Sequence, residues 1–474
     1  RTGDAVNSRS SGHGTVRGAG ERSGRPGGGL TRGEGTISPQ AAVALWHDAT
    51  GAERRKRQEM IKFELKNYQP SDSLYLWWLA NPQAPRLIGE LRMARTLKGV
   101  SLVYAPAWLK SGFPLSEDLP LVEGEFFPKE KETAAGAVDD ARPDRWGERV
   151  IRFLDKPPRL SVLDFLFYAG DERFGALGVS VSAQQYLARD TGALPQLADV
   201  AEMEQLVHQV LSGEPVEEHK RRLITPGSTL GGARPKALLN LDGHPWVVKF
   251  NEPGEPVDRP LVEHATMTLA ERAGIRVAQT LPVKLRRGHA IAIRRFDREA
   301  GMRRHAVSAN VALKAAGEEL GYPELAQWLR RRGVTAGGRH LEQMQELFRR
   351  MVFNILIDNT DDHEKNHVLL MADSGEYELS PAFDILPSGQ ALGYQQMRVG
   401  AAAADSTLEN ALSESGQFGF KKGEANAQVQ RVCRAVAGWK EPFARAGVSV
   451  ADIESLASQI NRPFLLNQRL AFSA

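Results

Sequence analysis

The chain has 474 residues, 42% hydrophobic and 25% charged, with a formal charge of +3; that length exceeds one core of roughly 250–300 residues, so two or three domains are expected. The composition excludes a wholly disordered chain, and the near-balanced charge carries no strong nucleic-acid signal. Cys433 is the single cysteine, which excludes an intrachain disulfide and a thiolate metal cluster and favours a reducing cytoplasm; without an apolar run of about eighteen residues or a charged-then-apolar leader, neither a membrane span nor export is expected.

Residues 1–38 are rich in Gly, Arg and Ser with few large apolar side chains, and read as a disordered tail. Residues 39–69 read as a helical extension, with Leu45, Trp46, Met60, Ile61 and Leu65 among its apolar positions and ERRKR as a solvated face. From residue 70 to 185 the pattern is a small α+β subdomain. SLYLWWL, LIGELRM and VSLVYA are strand-like runs, and RWGERVIRFLDKPPRLSVLDFLFYAG supplies two helices, the second opening at Ser161 as its cap.

Residues 186–300 begin with the helix ADVAEMEQLVHQVLSG. The tract RRLITPGSTLGGARPKALLNLDGHPWVVKF then reads as three strands: a short one near 221–224, KALLNL after a glycine-rich bend, and WVVKF after a DG turn. Residues 301–474 are dominated by helical periodicity. Leu341, Met344, Phe348, Met351 and Ile355 recur three or four residues apart, which predicts one buried helix that ends at the polar stretch NTDDHEKN, residues 359–366.

That octapeptide is explicable as a helix-terminal polar loop, since Asn, Asp and Thr favour caps and turns. Its spacing also suits phosphoryl transfer. Asp361 and Asn366 fit the pattern D-x-x-x-x-N, and Asp384 follows in SPAFDILP; one Asp orients the attacking hydroxyl and accepts its proton, while an Asn and a second Asp hold Mg²⁺ against the ATP phosphates. Lys365 is suited to neutralise a phosphate and His363 to pin the loop. Such a site also needs a glycine-rich loop, a strand lysine and a helix Glu. GSTLGGARPK with Gly231, Gly232 and Lys236, WVVKF with Lys249, and VEHATMTLA with Glu263 supply them in that order.

Taken together, TLGGARPKALL, WVVKF, VEHATMTLAERAGI, RRFDRE, NTDDHEKNHVLL and SPAFDILP resemble the HipA family of bacterial serine/threonine kinase toxins, over all but about the first seventy residues. The resemblance implies an α+β, two-lobed protein-kinase-like fold that uses ATP and Mg²⁺. It implies Asp361 as the catalytic residue, Asn366 and Asp384 as metal ligands, Lys249 as the ATP-phosphate lysine and Glu263 as its partner. It further implies an aminoacyl-tRNA synthetase as acceptor, an antitoxin with a helix-turn-helix DNA-binding domain as partner, and contact with DNA only through that partner. Family members phosphorylate a serine seven residues before the loop lysine; counting back from Lys236 reaches Thr229, with Ser228 beside it.

RRFDRE departs from the family by placing Arg294 where an acid is usual. RRRG, residues 330–333, reads as a helix end complementing the macrodipole, and QMRVGAAAADS as either a tight helix crossing or a loop over the substrate groove. Three other functions stay open at this point. Asp361, Asp362, His363, His367 and Asp384 suit a metal-dependent phosphoesterase or nuclease; the chain suits a catalytically silent DNA-binding partner; and the phosphoacceptor is open to being a small molecule.

Overall fold

The computed structural model describes residues 68–187, 189, 192–224, 232–421 and 423–472. All lie in the compact unit that begins at residue 60. The expected tail over 1–38, all but residues 68 and 69 of the helical extension expected over 39–69, and Ser228, Thr229 and Gly231 lie outside the described residues; residues 68 and 69 are not helical.

Near the N-terminus, β1 (Ser73–Trp78), β2 (Arg86–Ala94), β3 (Gly99–Tyr104), β4 (Glu125–Phe126) and β5 (Leu177–Ser180) form one antiparallel sheet in the order β4-β3-β2-β1-β5. Alternation buries Leu74 and Leu76 in the core. At Gly89 a Cβ would stand 2.1 Å from the Val103 carbonyl oxygen, so the β2–β3 pairing admits only glycine there. Helix α1 (Pro106–Ser111) follows β3, and α2 (Arg145–Val150) and α3 (Val162–Tyr168) follow β4. Ser161 caps α3 as expected, in a reciprocal capping box with Asp164.

After α4 (Val200–Ser212) comes a second antiparallel sheet in the order β6-β7-β9-β8, from β6 (Lys236–Leu241), β7 (His244–Lys249), β8 (Thr280–Lys284) and β9 (His289–Arg294). Asp242 and Gly243, with φ of 52° and 76°, make the tight turn between β6 and β7. The short strand expected near 221–224 is instead part of a 3₁₀ turn, Glu218–Leu223. Its apolar residues do not alternate, and Lys220 and Arg221 pair with Glu217 and Glu218 three residues back, contacts that a helical turn favours.

Period-two alternation gives this sheet two apolar faces. Ala237, Leu239, Trp246, Val248, Ala290 and Ala292 pack with Met203, Leu206 and Val207 of α4. Ile291 and Ile293 belong to the larger core with Leu261, Val262 and Ala265 of α5 (Arg259–Arg272). Lys249 is paired in register with both Ile291 and Lys236, so it shares the α5 face.

β10 (Arg298–Glu299) and β11 (Met302–Arg303) form a small ribbon that leads into the helical lobe. There β12 (Ala306–Ser308), β13 (Val368–Met371) and β14 (Tyr377–Leu379) pair antiparallel, beside α6 (Ala309–Ala316), α7 (Tyr322–Arg332) and the long α8 (Arg339–Leu356). Met344, Phe348, Met351 and Ile355 of α8 are wholly buried, whereas Leu341, expected on the same face, is 41% exposed because it sits in the first turn at the edge of the core. Helices α9 (Leu408–Ser413), α10 (Glu424–Ala437), α11 (Lys440–Arg445), α12 (Val450–Ile460) and α13 (Pro463–Ala471) complete the lobe. Two apolar-flanked motifs resolve simply. Arg331 and Arg332 of RRRG pair with Glu318 and Glu117. QMRVGAAAADS is a loop held on α9, where Asn410 Nδ2 donates to Ala403 O at 3.1 Å, and not a helix crossing. Among the described residues no helix is long and apolar enough to cross a membrane.

Candidate active site

The described part of the glycine-rich bend starts at Gly232, whose φ of +105° and 3.2 Å clearance between a built Cβ and Lys236 Nζ both favour glycine. Lys236 opens β6, and its Nζ donates to Asp144 Oδ2 at 2.7 Å. The other oxygen of Asp144 accepts from the Gly147 amide at 2.7 Å and caps α2. One carboxylate therefore anchors both a helix end and the lysine of the bend, and Trp146 Nε1 adds a bond to Lys236 O at 2.7 Å.

β7 ends at Lys249, directly opposite Lys236. Two cations facing each other across a strand pair repel unless each has an anion. Lys236 has Asp144; Lys249 Nζ donates to Glu263 Oε1 at 2.8 Å and to Asp384 Oδ1 at 2.5 Å. Glu263 is buried on α5. Burial pushes its carboxyl up, against the attraction of Lys249, and the Asp384 charge adds to the rise. Burial also opposes the charge of Asp384, but Lys249, followed by Lys236 and His363, outweighs it and holds that carboxyl at about 2. Four separate segments thus converge on Asp384: β6, β7, α5 and the loop after α8.

That loop follows from the helix that ends it. Asp358 takes the left-handed conformation, φ 60°, and turns the chain out of α8. Arg462 Nη2 donates to its Oδ1 at 2.7 Å, and Ser388 Oγ donates to its carbonyl at 2.8 Å. Asp361 is exposed, while the next residue turns inward. Asp362 accepts from the Tyr322 hydroxyl and from His367 Nε2 at 2.8 Å, deep in the lobe. Burial works against its charge, yet His367 and Tyr322 hold its carboxyl below the ordinary value. Asn366 is buried with Oδ1 lacking a hydrogen-bond partner among the described residues, and its amide donates to His363 O at 2.9 Å. A buried acceptor without a donor fits a cation ligand.

The structure therefore brings Lys236, Lys249, Glu263, His363 and Asp384 together, with Gly232 beside Lys236. Asp361 stands at the exposed turn of the same loop and Asn366 at its inner end. Lys365 lines a neighbouring groove instead, and its charge acts on Asp140. Asp362 and His367, expected in the alternative phosphoesterase cluster, are committed to each other and to Tyr322. Among the described residues no group of three or more His, Cys, Asp and Glu side chains is placed to hold a metal ion. Asn366 and Asp384 instead offer oxygen donors of the kind Mg²⁺ takes, with the rest of its octahedral shell left to water or ligand oxygens.

Sequence reading missed Asp144, Tyr322, Asp358 and Arg462. Asp144 had a usable signal, an Asp immediately before the helix RWGERV; the other three gain their roles only through contacts distant in sequence. Arg294, the departure in RRFDRE, contacts His244 at 3.2 Å.

Residues 83–180 match the family model of the HipA N-terminal domain, and residues 228–439 that of the HipA-like C-terminal domain. Among solved structures, HipA in the Shewanella oneidensis MR-1 complex of HipA, HipB and operator DNA is similar at a TM-score of 0.56 and 20% identity, over 84% of this chain and 96% of that one. The Helicobacter pylori proinflammatory kinase CtkA matches 51% of this chain and 94% of its own at 15% identity and a TM-score of 0.34.

Proposed function

Because this chain belongs to the HipA family, we propose that it is a toxin-type, ATP- and Mg²⁺-dependent protein kinase that transfers the γ-phosphoryl group to a Ser or Thr hydroxyl. The observation that carries this reading is Lys249, held within 2.8 Å of Glu263 and 2.5 Å of Asp384. A buried lysine between a helix Glu and an Asp of the opposite lobe is the arrangement by which kinases hold nucleotide phosphates and metal in one place.

On this reading Lys249 neutralises ATP phosphate charge and Glu263 fixes its position. Gly231, Gly232 and Lys236 are the residues assigned to cover the phosphates. Asn366 and Asp384 hold Mg²⁺, which supplies charge neutralisation on the phosphates. Asp361 orients the acceptor hydroxyl and accepts its proton as the oxygen–phosphorus bond forms and the bond to ADP breaks. His363 and Lys365 support the loop. The exposure of Asp361 leaves it accessible to a macromolecular acceptor.

The acceptor suggested by the family resemblance is an aminoacyl-tRNA synthetase. The similar Shewanella protein is a complex with HipB and operator DNA, and a DNA-binding antitoxin is the partner proposed here, with the cytoplasm as the site of action. The protein also modifies its own bend at Thr229 or Ser228, placing about −1.5 to −2 charges where ATP phosphates bind. Incubation with γ-labelled ATP and Mg²⁺, beside Asp361→Asn, tests the reading. Label in wild-type protein or acceptor that the variant lacks is expected; no label and no ATP-dependent stabilisation would overturn it.

A further inference from the structure

We infer that the groove beside the catalytic loop is a docking site for an acidic stretch of the acceptor protein. The groove encloses about 950 Å³ and is bounded by α2, α3, the β2–β3 connection and the loop after α8. It reaches Lys365, one residue before Asn366, and Asp144, the partner of Lys236. An occupant therefore lies against two edges of the nucleotide site. The inference takes its reaction from the kinase reading, but the binding it requires is independent of that reading.

Charge selects the occupant. Arg95, Arg142, Arg152 and Arg159 line the groove but are paired with Asp72, Asp139, Glu148 and Asp164 respectively. Lys98, Lys131 and Arg145 are exposed, and with Lys365 they have no ion-pair partner among the described residues. Against these four cations stands the carboxylate of Glu132. Asp140, near Lys365, is already occupied by the Ser308 amide and hydroxyl at 2.7 and 2.8 Å. An uncompensated positive concavity raises the local concentration of an anionic ligand and disfavours a basic one.

An acidic peptide fits better than a nucleic acid. Single-stranded nucleic acids gain much of their affinity by stacking bases on accessible aromatic rings. The aromatic lining this groove is Phe165, which is 5% exposed and covered by Arg152 at 4.8 Å. The groove also reaches the loop that carries Asp361 through Lys365, four residues further on, and the proposed acceptor of Asp361 is a protein hydroxyl.

The test uses the full chain and serine-centred fluorescent peptides whose flanking positions are all Glu, all Ala or all Lys. Anisotropy without ATP measures docking, and label from γ-labelled ATP measures transfer. The Glu-flanked peptide is expected to bind at least about tenfold tighter than the Ala-flanked one, with the advantage lost at high salt. The surface variant Lys98→Glu/Lys131→Glu/Arg145→Glu should abolish that preference, and Lys→Arg replacements at the first two positions should retain it. Equal binding of the three peptides, or an undiminished preference in the charge-reversed variant, overturns the proposal. So does tight binding of a single-stranded RNA with no binding of the Glu-flanked peptide. Charge-dependent docking with no label in any peptide or in the protein itself, and no ATP-dependent stabilisation, would leave this proposal standing while removing the kinase reading.

Discussion

Lys249 Nζ on the sheet of the N-terminal lobe lies 2.5 Å from Asp384 Oδ1 of the helical lobe, and its other partner is Glu263 at 2.8 Å. One cation thus bridges two carboxylates, Glu263 buried and Asp384 partly exposed. Lys249→Met removes the one cation that contacts both, leaving Glu263 buried without it and Asp384 only the more distant Lys236 and His363, which is expected to cost about 3–5 kcal/mol. Glu263→Gln leaves Lys249 paired with Asp384 and should cost less. Urea unfolding checks the order, and on the proposed kinase reading ATP with Mg²⁺ should raise the melting temperature of the wild type while both variants lose most of that rise. A Lys249→Met protein as stable as the wild type would contradict the charge balance inferred for this site.

Asp140 gives a pH dependence of definite sign. Burial pushes its carboxyl up to about 6, against the Ser308 hydrogen bonds and the Lys365 charge. A group whose folded value is raised contributes stability that is present below its unfolded value, near 4, and lost as pH rises through the folded value. Asp140→Asn removes the titration and leaves a constant offset from weakened contact with Ser308. The difference in melting temperature between variant and wild type should therefore move in favour of the variant from about pH 4 to pH 7. A difference that stays flat across that range contradicts the shift.

How far the site could be read from sequence depended on how local its physics is. That Lys249 needs a partner was legible because it is the one lysine of an apolar strand, and the structure supplies Glu263 and Asp384; the spacing of Asp361, Asn366 and Asp384 is a chemical pattern that sequence alone marks for a proposed role. The α3 cap at Ser161 was equally local. Asp144 could have been singled out as a cap, but not as the anion for Lys236, since 92 residues separate them. The strand expected near 221–224 failed because charge pairing at i,i+3 outweighed two apolar residues. Leu341 failed because periodicity identifies a face without showing where the core ends.

Tyr322 and Asp362 test whether the inner half of the polar loop is structural. The Tyr322 hydroxyl donates to Asp362, which also accepts from His367. Tyr322→Phe removes one donor from a buried carboxylate while preserving ring volume, at an expected cost of about 1–3 kcal/mol. If Asp362 serves to hold the loop, activity should fall with stability, and a lower assay temperature should restore part of it. Loss of activity with unchanged unfolding would assign Asp362 to the chemistry instead.

The segment RRFDRE separates an exposed difference from a buried requirement within four residues. Arg294 contacts His244 at 3.2 Å and Gln279 at 3.5 Å near the surface. Asp297 is fully buried. It binds Arg295 at 2.8 Å and Arg298 at 2.6 Å and accepts from the Gly175 amide at 2.8 Å, tying the end of β9 to the N-terminal subdomain. Burial opposes its charge, but Arg295 and Arg298 hold its carboxyl below the ordinary value. Asp297→Ala leaves two buried guanidinium groups without that anion and one amide unpaired, so a loss of about 3–5 kcal/mol is expected. Arg294→Ala should stay within about 0.5 kcal/mol of the wild type, as surface substitutions usually do. Parallel urea titrations decide the point: a larger loss at Arg294 than at Asp297 would mean that the unusual residue, and not the buried carboxylate, ties the lobe to the preceding subdomain.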